Sequence, residues 1–359
     1  MVIKSLELSN FRNFRLLDIN FDAKTNILYG DNAQGKTNIL EAIYLCATTK
    51  SHRGTKDRDI VAFDEEESHI RIFLDKKGDE VRIDMHLRKN GSKGIAIDGQ
   101  KLKRASQLLG VMNVVFFSPE DLSIIKNGPA ERRRFVDMEL CQLDPVYLRD
   151  LNSYNKIVNQ RNRLLKDMAF QPELSGTLDI WDMQLAGYAK RIIERRSIFA
   201  QELNGIIQEV HASLSGGKEK LEVVYEPHVH AEEVEERMQK NRERDIRMQQ
   251  TTTGPHRDDF AFVANGIDIR RFGSQGQQRT AALSLKLSEI ELVKRMTKDA
   301  PILLLDDVLS ELDSNRQNYL LNSIGNIQTI VTCTGLDEFV NNRFEINRVF
   351  HVSQGQISD

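Results

Sequence analysis

The sequence predicts an α/β protein in which a mixed sheet with flanking helices lies beside an antiparallel β subdomain and is interrupted by an inserted helical arm. Two observations predict the sheet: a glycine-rich loop follows the strand-like run 26–29, and a run of aliphatic residues precedes paired carboxylates at 301–307. A helix-rich stretch lies between these two elements, which indicates an insertion. We expect a first half of the main domain at 1–120, an arm at 121–250 and a second half at 251–359.

The glycine-rich loop has the spacing G-x-x-x-x-G-K-T, and a helical pattern follows it at 38–45. Its residues are Gly30, Asp31, Asn32, Ala33, Gln34, Gly35, Lys36 and Thr37. Strand, loop and helix in this order are the context of a phosphate-binding loop, in which backbone N–H groups and the helix N-terminus hold phosphate oxygens. We expect Lys36 to contact the β- and γ-phosphates of a nucleotide and the Thr37 hydroxyl to ligate Mg²⁺.

The second element is the run Pro301-Ile302-Leu303-Leu304-Leu305-Asp306-Asp307. Consecutive aliphatic residues are typical of a strand that is buried on both faces of a parallel sheet. Its carboxylates fall at the carboxyl end of the strand, where ligands bind in open α/β sheets. Asp306 suits the Walker-B role of holding Mg²⁺, and Asp307 is placed to orient or deprotonate an attacking water.

A third element is the polar loop Ser274-Gln275-Gly276-Gln277-Gln278, which precedes a helical run at 280–295. A small polar loop before a helix is a second anion-binding site. Because one nucleotide has a single γ-phosphate, we expect this loop to meet the nucleotide of another subunit. The segment Ser310-Glu311-Leu312-Asp313 follows the Walker-B strand at the spacing of a dimer-contacting loop.

These motifs, in this order, resemble the ABC-type ATPase heads of the SMC and Rad50 kind, and more closely the bacterial RecF family of recombination mediators. Further shared motifs lie along most of the chain: Leu8-Ser9-Asn10-Phe11-Arg12-Asn13-Phe14, Phe117-Ser118-Pro119-Glu120-Asp121-Leu122, Arg132-Arg133-Arg134-Phe135-Val136-Asp137 and Gly254-Pro255-His256-Arg257-Asp258-Asp259. The resemblance implies a P-loop ABC-type ATPase head with ATP and Mg²⁺ as cofactors and a weak, DNA-stimulated ATPase activity.

The same resemblance implies a homodimer that forms on ATP and separates on hydrolysis. It further implies binding to double-stranded DNA and to single-strand/duplex junctions, with a RecR-type partner that helps to load RecA during recombinational repair. Arg12 and Asn32 would contact the nucleotide, as the matching residues do in related heads. Ser274, Gly276 and Gln277 would contact the nucleotide of the opposite subunit, and Ser274 would take part in its hydrolysis.

Three positions depart from the wider pattern of this superfamily. The loop reads Ser274-Gln275-Gly276-Gln277 where transporters usually have S-G-G-Q. Thr332-Cys333-Thr334 stands where many relatives have a switch histidine, so the sequence does not identify the γ-phosphate sensor. Ser118 occupies a position where related heads tend to have a glutamine.

Size and composition are those of a packed protein of one large or two modest domains, with 359 residues, 40% of them hydrophobic. No apolar run approaches the ~18 residues that span a bilayer, so we expect no membrane partner. The start, Met1-Val2-Ile3-Lys4, lacks the features of a signal peptide, and three scattered cysteines have no metal or disulfide spacing. Both observations favour a cytoplasmic location.

The net charge is −3, so DNA binding would depend on local basic clusters. The first candidates are Lys50, Arg53, Lys56 and Arg58, in a loop beyond the nucleotide, for which phosphate contact and ordinary solvation are about equally supported. A cluster at 132–134 and helical clusters around Arg161 and Arg195 are alternatives, the helical ones more typical of solvated faces. The arm has no sustained heptad repeat, which favours a short folded arm over a long coiled coil.

Three other functions remain open at this point. A transporter ATPase subunit would need a surface for a membrane partner, which the helical insertion and the hairpin-rich first half do not suggest. A phosphotransferase would need an acceptor pocket but not the loop at 274–278. An SMC-like structural head would need heptads and a hinge, which we do not find.

Overall fold

The computed structural model describes residues 1–335 and 346–358. The chain divides into two compact units, one formed by Met1–Asp121 with Leu285–Asp359 and the other by Leu122–Ser284. We expected the arm to end at residue 250, but the second unit continues to Ser284, which lies within a helix. The second unit therefore includes the loop at 274–278 and two strands in addition to the predicted arm.

Fifteen strands are present in the described residues. They are β1 Val2–Phe11, β2 Phe14–Asn20, β3 Thr25–Tyr29, β4 Glu67–Lys76, β5 Asp79–Arg88, β6 Gly94–Ile97, β7 Gln100–Lys101, β8 Val114–Phe117, β9 Leu221–Glu226, β10 Asp259–Ala264, β11 Ile267–Asp268, β12 Ile302–Asp306, β13 Thr329–Cys333, β14 Arg348–Ser353 and β15 Gln356–Ser358.

Over the same residues, ten α-helices accompany these strands, together with short 3₁₀ turns. They are α1 Lys36–Thr48, α2 Leu122–Lys126, α3 Pro129–Leu143, α4 Pro145–Asp167, α5 Leu178–Ser215, α6 Val234–Lys240, α7 Arg242–Met248, α8 Ile269–Phe272, α9 Gln275–Thr297 and α10 Ser314–Ile324. None of the helices in the described part of the chain is both long enough and apolar enough to cross a membrane.

The first unit contains a six-stranded sheet in the order β15-β14-β3-β13-β12-β8. All of its neighbours are parallel except the β14–β15 hairpin. Leu303, Leu304 and Leu305 on β12 are fully buried, as expected for a strand covered on both faces. Because β13 lies between β3 and β12, the carboxyl ends of these three strands meet at one edge of the sheet. That edge is where ligands bind in such sheets.

The first unit also contains the predicted antiparallel subdomain, a sheet in the order β2-β1-β4-β5-β6-β7. Buried and exposed residues alternate along β4, which turns one face of the sheet to the core. Helix α1 packs against strands of both sheets, and one hydrophobic core joins them. The dipeptide Asp98-Gly99 predicts a turn, and the structure has a two-residue hairpin there, with positive φ at both residues (51° and 80°), the geometry of a type I′ turn.

The second unit combines helices α2–α8 with a small sheet in the order β11-β10-β9. Helix α5 has 38 residues and is therefore ~57 Å long. Strand β9 was not predicted, because Leu221–Glu226 is one short run among helical patterns. The segment 231–249 is nearly all charged or polar, which predicts an exposed helix or a solvated charge run. It forms two short helices after a 3₁₀ turn, and its Val234, Met238 and Asp245 are buried.

Two buried arginines connect the helices of this unit. Arg161 is fully buried, and its guanidinium lies 2.7 Å from a carboxylate oxygen of Asp182 and 2.7 Å from one of Asp245. Arg196 pairs with Asp137 and Asp258, each at 2.8 Å. The interpretation of these basic clusters as solvated helix faces is therefore wrong for both arginines. Breaking such a buried pair costs ~3–5 kcal/mol, so their role is structural.

Candidate nucleotide-binding site

The loop between β3 and α1 has the backbone that a phosphate-binding loop requires. Gly30 and Gly35 have φ of 146° and 114°, a region that favours glycine. A Cβ at Gly30 would overlap the carbonyl oxygen of Val352, and a Cβ at Gly35 would lie 2.5 Å from Asn13 Nδ2. Backbone conformation and close approach to a neighbouring backbone both require glycine at position 30, whereas at position 35 the positive φ is the main requirement.

The Lys36 side chain is buried, with 8% of the residue exposed, and points back along the loop. Its ammonium donates hydrogen bonds to the carbonyl oxygens of Gly30 (2.5 Å) and Asp31 (2.7 Å). Burial lowers the pKa of this ammonium, while the negative charge of the nearby Asp307 and Asp306 opposes that shift. A buried point charge enclosed by the loop is suited to bind an anion that enters it.

Thr37 and the Walker-B strand meet at the edge of the sheet. Thr37 Oγ1 donates a hydrogen bond of 2.8 Å to Asp306 Oδ1, and Thr332 Oγ1 donates a second one of 2.8 Å to the same oxygen. Burial raises the pKa of Asp306, and the two hydroxyl donors counteract that rise. The hydroxyl and carboxylate oxygens form a donor set that fits Mg²⁺, which binds hard oxygen ligands.

Asp307 follows directly and is exposed. Its φ is 51°, and its N–H donates to Thr332 Oγ1 at 3.0 Å, so Thr332 connects the Asp306 carboxylate to the Asp307 backbone. The Ser310 hydroxyl donates to the carbonyl oxygen of Asp307 at 2.8 Å, which fixes the turn after the strand. The second carboxylate is therefore held at the rim of the site with its side chain accessible to water.

Asn13 is a part of the site that sequence reasoning missed. Its Nδ2 donates to the carbonyl oxygen of Gln34 at 2.8 Å, and its Oδ1 accepts a hydrogen bond of 2.8 Å from Asn38 Nδ2. The side chain therefore connects the loop to the first turn of α1. The motif at 8–14 contains this residue and is the signal that could have found it. Asp31, Asn32 and Ala33 are exposed at the tip of the loop.

Arg12, expected at the nucleotide, contacts protein groups of α1 and the following loop. Its Nε and Nη2 donate to the two carboxylate oxygens of Glu41 at 2.9 and 2.7 Å, and Nη2 also donates to Thr55 Oγ1 at 3.1 Å. Glu41 is fully buried, which by itself would raise its pKa, but hydrogen bonds from Arg12 and Ser51 hold the pKa below its usual value. This pair fixes the loop that carries the candidate DNA contacts.

The candidate DNA contacts Lys50, Arg53, Lys56 and Arg58 are all exposed. Arg53 donates to Asn38 Oδ1 at 3.2 Å, and Arg58 lies 3.5 Å from Asp59. Within residues 1–335 and 346–358, neither Lys50 nor Lys56 forms an ion pair. Arg53 Nη1 also lies 3.9 Å from Glu41 Oε2, so it is the positive charges of Lys50 and Lys56 that are available to a polyanion.

The predicted signature residues lie in the second unit. Helix α9 begins at Gln275, earlier than expected, and Ser274 caps it: Ser274 Oγ accepts from Gln277 N–H at 3.2 Å, while Ser274 N–H donates to Gln277 Oε1 at 2.8 Å. This reciprocal pair is a capping box. A Cβ added at Gly276 would have Ser274 Oγ as its nearest neighbour, at 3.9 Å, which leaves space beside the helix start.

Gln277 is held by a residue that the sequence did not indicate. Its Nε2 donates to Glu219 Oε1 at 2.8 Å, and Glu219 Oε2 lies 3.3 Å from His211 Nε2. The His211 Nδ1 lies 2.9 Å from Ser284 Oγ, about two turns further along α9. Because Glu219 is 58 residues from Gln277, no local pattern could reveal this support.

Comparison with known proteins agrees with this architecture. A family described as "RecF/RecN/SMC N terminal domain" matches residues 2–358. The chain is 62% identical over 357 residues to the DNA replication and repair protein RecF of Agathobacter rectalis, with 99% of each chain covered. It is 44% identical over 367 residues to the protein of the same name from Clostridium acetobutylicum, with each chain covered completely.

Solved structures give the same result. The chain superposes with a TM-score of 0.94 on "the recombination mediator protein RecF-ATP in RecFOR pathway", at 38% identity, covering 99% of this chain and 97% of that one. An Smc head domain from Pyrococcus furiosus aligns with a TM-score of 0.56 at 18% identity over 99% and 95% of the chains, a likeness of fold alone. The predicted ABC-type ATPase-head fold with its inserted arm is confirmed.

Proposed function

This chain belongs to the RecF family of DNA replication and repair proteins, and from that premise we propose that it is an ATP-dependent DNA-binding protein. ATP joins two copies through their heads, and hydrolysis separates them. The protein acts at gaps and at junctions of single-stranded and duplex DNA, together with a RecR-type partner that helps to load RecA. The pathway named for the similar RecF-ATP structure supports the choice of partner.

The observation that carries the nucleotide part is the hydrogen bond between Thr37 Oγ1 and Asp306 Oδ1 at 2.8 Å. It joins the end of the phosphate-binding loop to the end of the Walker-B strand, across 269 residues of sequence. These two oxygens would hold Mg²⁺, which when bound neutralises phosphate charge. Lys36 lies in the same loop and supplies a second positive charge to the β- and γ-phosphates.

Hydrolysis requires a water molecule positioned on the far side of the γ-phosphorus. Asp307 is exposed at the rim of the site, and its carboxylate orients that water and accepts its proton. The water oxygen forms a bond to phosphorus as the bond to the β–γ bridging oxygen breaks, leaving ADP and inorganic phosphate. Positioning and charge stabilisation account for most of such catalysis. As the resemblance to the RecF family implies, we expect a weak ATPase activity that DNA stimulates.

The dimer part rests on the second anion site. Ser274 ends the loop before α9, and the open space beside Gly276 allows a phosphate to approach the N-terminus of this 23-residue helix. Because the chain has two phosphate-binding elements and each ATP has one γ-phosphate, Ser274 of one copy would meet the nucleotide of the other. ATP is then bound completely only between two copies.

Sedimentation velocity tests this function directly. The purified protein, 41.2 kDa per chain, is measured without nucleotide, with ADP, with ATP, and with ATP plus a duplex that has a single-stranded tail. A shift to a dimer with ATP but not with ADP, and co-sedimentation with DNA in the ATP sample, would support the proposal. Asp307→Asn, which should retain ATP, is the variant in which the dimer should persist. A monomer under all four conditions would refute the ATP-driven dimer.

A further inference from the structure

A cluster of metal-ligating side chains lies on the antiparallel sheet, separate from the strands that carry the nucleotide site. Glu67 and His69 are two residues apart on β4 and therefore share a face of the sheet, and His86 on β5 lies directly opposite His69. One ligand atom from each of the three side chains lies within 4.8 Å of the others. The two imidazole rings are stacked, with centroids 4.1 Å apart.

We propose that Glu67, His69 and His86 form a binding site for Zn²⁺ or a similar borderline divalent cation. Two imidazoles and one carboxylate are a known ligand set for zinc, with a fourth position left to water or to another ligand. Tetrahedral zinc with ligand distances of ~2.0–2.2 Å separates its ligand atoms by about 3.3–3.6 Å. Small rotations of the exposed Glu67 and His69 side chains, with His86 half-buried, would bring the ligand atoms to that spacing.

The contact between His86 and Glu67 suits a metal. His86 Nε2 and Glu67 Oε2 are already 2.7 Å apart, and a cation would replace the proton between them.

Arg88 competes with the metal. Its Nε lies 3.2 Å from Glu67 Oε1, and its Nη2 lies 3.4 Å from His86 Nδ1. This guanidinium both engages the carboxylate ligand and places a positive charge beside the cation. Removing Arg88 should therefore strengthen metal binding, an effect opposite in sign to that of removing a ligand.

A cation at this site would connect strands β4 and β5 of the antiparallel sheet and would lie beside a groove. His69, His86 and Arg88 line a concave region of about 760 Å³ on this sheet. A cation held by three residues of β4 and β5 cross-links these strands, and its fourth position opens towards the groove. A donor side chain or a water molecule in the groove would complete the coordination.

Calorimetric titration of chelator-treated, nucleotide-free protein with ZnCl₂ tests the site. We expect one Zn²⁺ per chain, and a loss of affinity of at least about tenfold in Glu67→Gln, His69→Ala and His86→Ala. Arg88→Ala should bind Zn²⁺ severalfold more tightly. His230→Ala, which removes an exposed histidine of the second unit, is the matched control and should leave the affinity unchanged. The cysteines are buried and should not contribute.

A second measurement needs no ligand variant and covers the case in which one fails to fold. In protein labelled at its eight histidines, ZnCl₂ should shift two imidazole signals strongly. The Arg88→Ala variant, saturated at a lower Zn²⁺ concentration, should shift the same two. Absence of stoichiometric binding, equal binding in every ligand variant, or shifts at histidines other than His69 and His86 would overturn the proposal. Loss of binding confined to the three ligand variants would establish it.

Discussion

Thr332 Oγ1 donates a hydrogen bond of 2.8 Å to Asp306 Oδ1, and the same hydroxyl oxygen accepts the N–H of Asp307. A threonine of β13 thereby contacts the Asp306 carboxylate and the Asp307 backbone at the end of β12. Thr332 belongs to the segment for which the sequence identified no γ-phosphate sensor. Its hydroxyl already has these two partners, so its role in the structure is to position the Asp306 carboxylate and the backbone that carries Asp307.

Replacing Lys36 with Ala should weaken ATP binding at least about a hundredfold, ~2.8 kcal/mol, because a buried charge directed into the loop is lost. Equilibrium titration with a fluorescent ATP analogue measures the change. Lys218→Ala, at an exposed position of the second unit, is the matched control and should bind as the parent does. An unchanged dissociation constant in Lys36→Ala would remove Lys36 from the phosphate site.

Asp307→Asn should retain ATP but hydrolyse it at least ~100-fold more slowly, since a general base typically contributes that much or more. Asparagine tolerates the positive φ at this position, so the backbone should keep its conformation. Single-turnover hydrolysis and the ATP dissociation constant, measured together, separate chemistry from binding. Hydrolysis at the parental rate would place the base elsewhere, with Glu120 as the next exposed carboxylate to test.

Ser274→Arg should bind ATP as a monomer but fail to dimerise or hydrolyse it, because a long side chain would separate the two heads. The substitution also removes the cap of α9, a loss of ~1 kcal/mol that has to be controlled. Ser274→Ala removes the same cap without adding bulk. We expect the two variants to have equal thermal stability. Ser274→Ala should form a weaker ATP-dependent dimer than the parent, and Ser274→Arg should form no dimer. Normal ATP-dependent dimers in Ser274→Arg would refute the shared site.

The double variant Arg53→Ala/Lys56→Ala should weaken binding to all DNA sequences alike, because phosphate contacts do not read bases. Each lost contact should reduce the slope of log K against log salt by ~0.9. Fluorescence anisotropy over a salt series in the presence of ATP gives the slope. Arg163→Ala/Lys218→Ala removes the same charge from exposed positions of the second unit.

The Arg53→Ala/Lys56→Ala variant should still dimerise with ATP, because neither substitution lies in the phosphate-binding loop or at Ser274. A parental slope in Arg53→Ala/Lys56→Ala would identify the loop as ordinary solvated surface. The arm clusters are then weaker alternatives than the sequence suggested, since Arg161 is completely buried and Arg195 pairs with Asp144 at 3.0 Å.

Lowering the pH from 7.5 to 5 should reduce the free energy of unfolding through His52 and His256. Burial lowers the pKa of both imidazoles to about 4, whereas an unfolded histidine titrates near ~6.5. As the pH falls from about 6.5 towards 4, the unfolded chain binds protons that the folded chain does not, and stability is lost over that range. Urea unfolding at three pH values measures the trend.

His256→Gln tests the assignment of this pH dependence. His256 Nδ1 lies 2.6 Å from the Tyr154 hydroxyl, and its Nε2 lies 3.1 Å from the carbonyl oxygen of Thr251. The neutral ring satisfies both partners, and a second ring proton would conflict with the Tyr154 hydroxyl donor. The variant should be less stable at pH 7.5 but lose less stability on acidification. An identical slope in parent and variant would assign the dependence to other groups.

Elements specified by short-range patterns were predicted well. The strand β3, the loop at 30–37 and helix α1 form one continuous segment, so glycine spacing and hydrophobic pattern contain the whole signal. The same holds for β12, whose aliphatic run continues directly into Asp306. It also holds for Asn265-Gly266, a dipeptide that predicts a hairpin turn and joins β10 to β11. In each case the residues that decide the structure are neighbours in the chain.

Charged side chains behaved differently, because their environment depends on partners far away in sequence. Arg161 looks like a solvated helix residue until Asp245, 84 residues later, is placed against it. Nothing in the segment around Arg12 indicates the Glu41 carboxylate that α1 brings to its guanidinium. Periodicity gives the face of a helix on which a charge lies, but it does not give the carboxylate opposite.

Residue order alone predicted the phosphate-binding loop, the Walker-B strand and the family to which the chain belongs. Each of these predictions depends on motifs whose residues are contiguous in the chain. Only the tertiary structure decided three other connections, which are those of Thr332 to Asp306, of Glu219 to Gln277, and of Glu67 and His69 to His86. Sheet order and helix packing bring these groups together, and both are set by the burial of a core distributed over the chain. The free energy that stabilises this arrangement comes from burying the whole core, so it cannot be inferred from any single segment of the sequence.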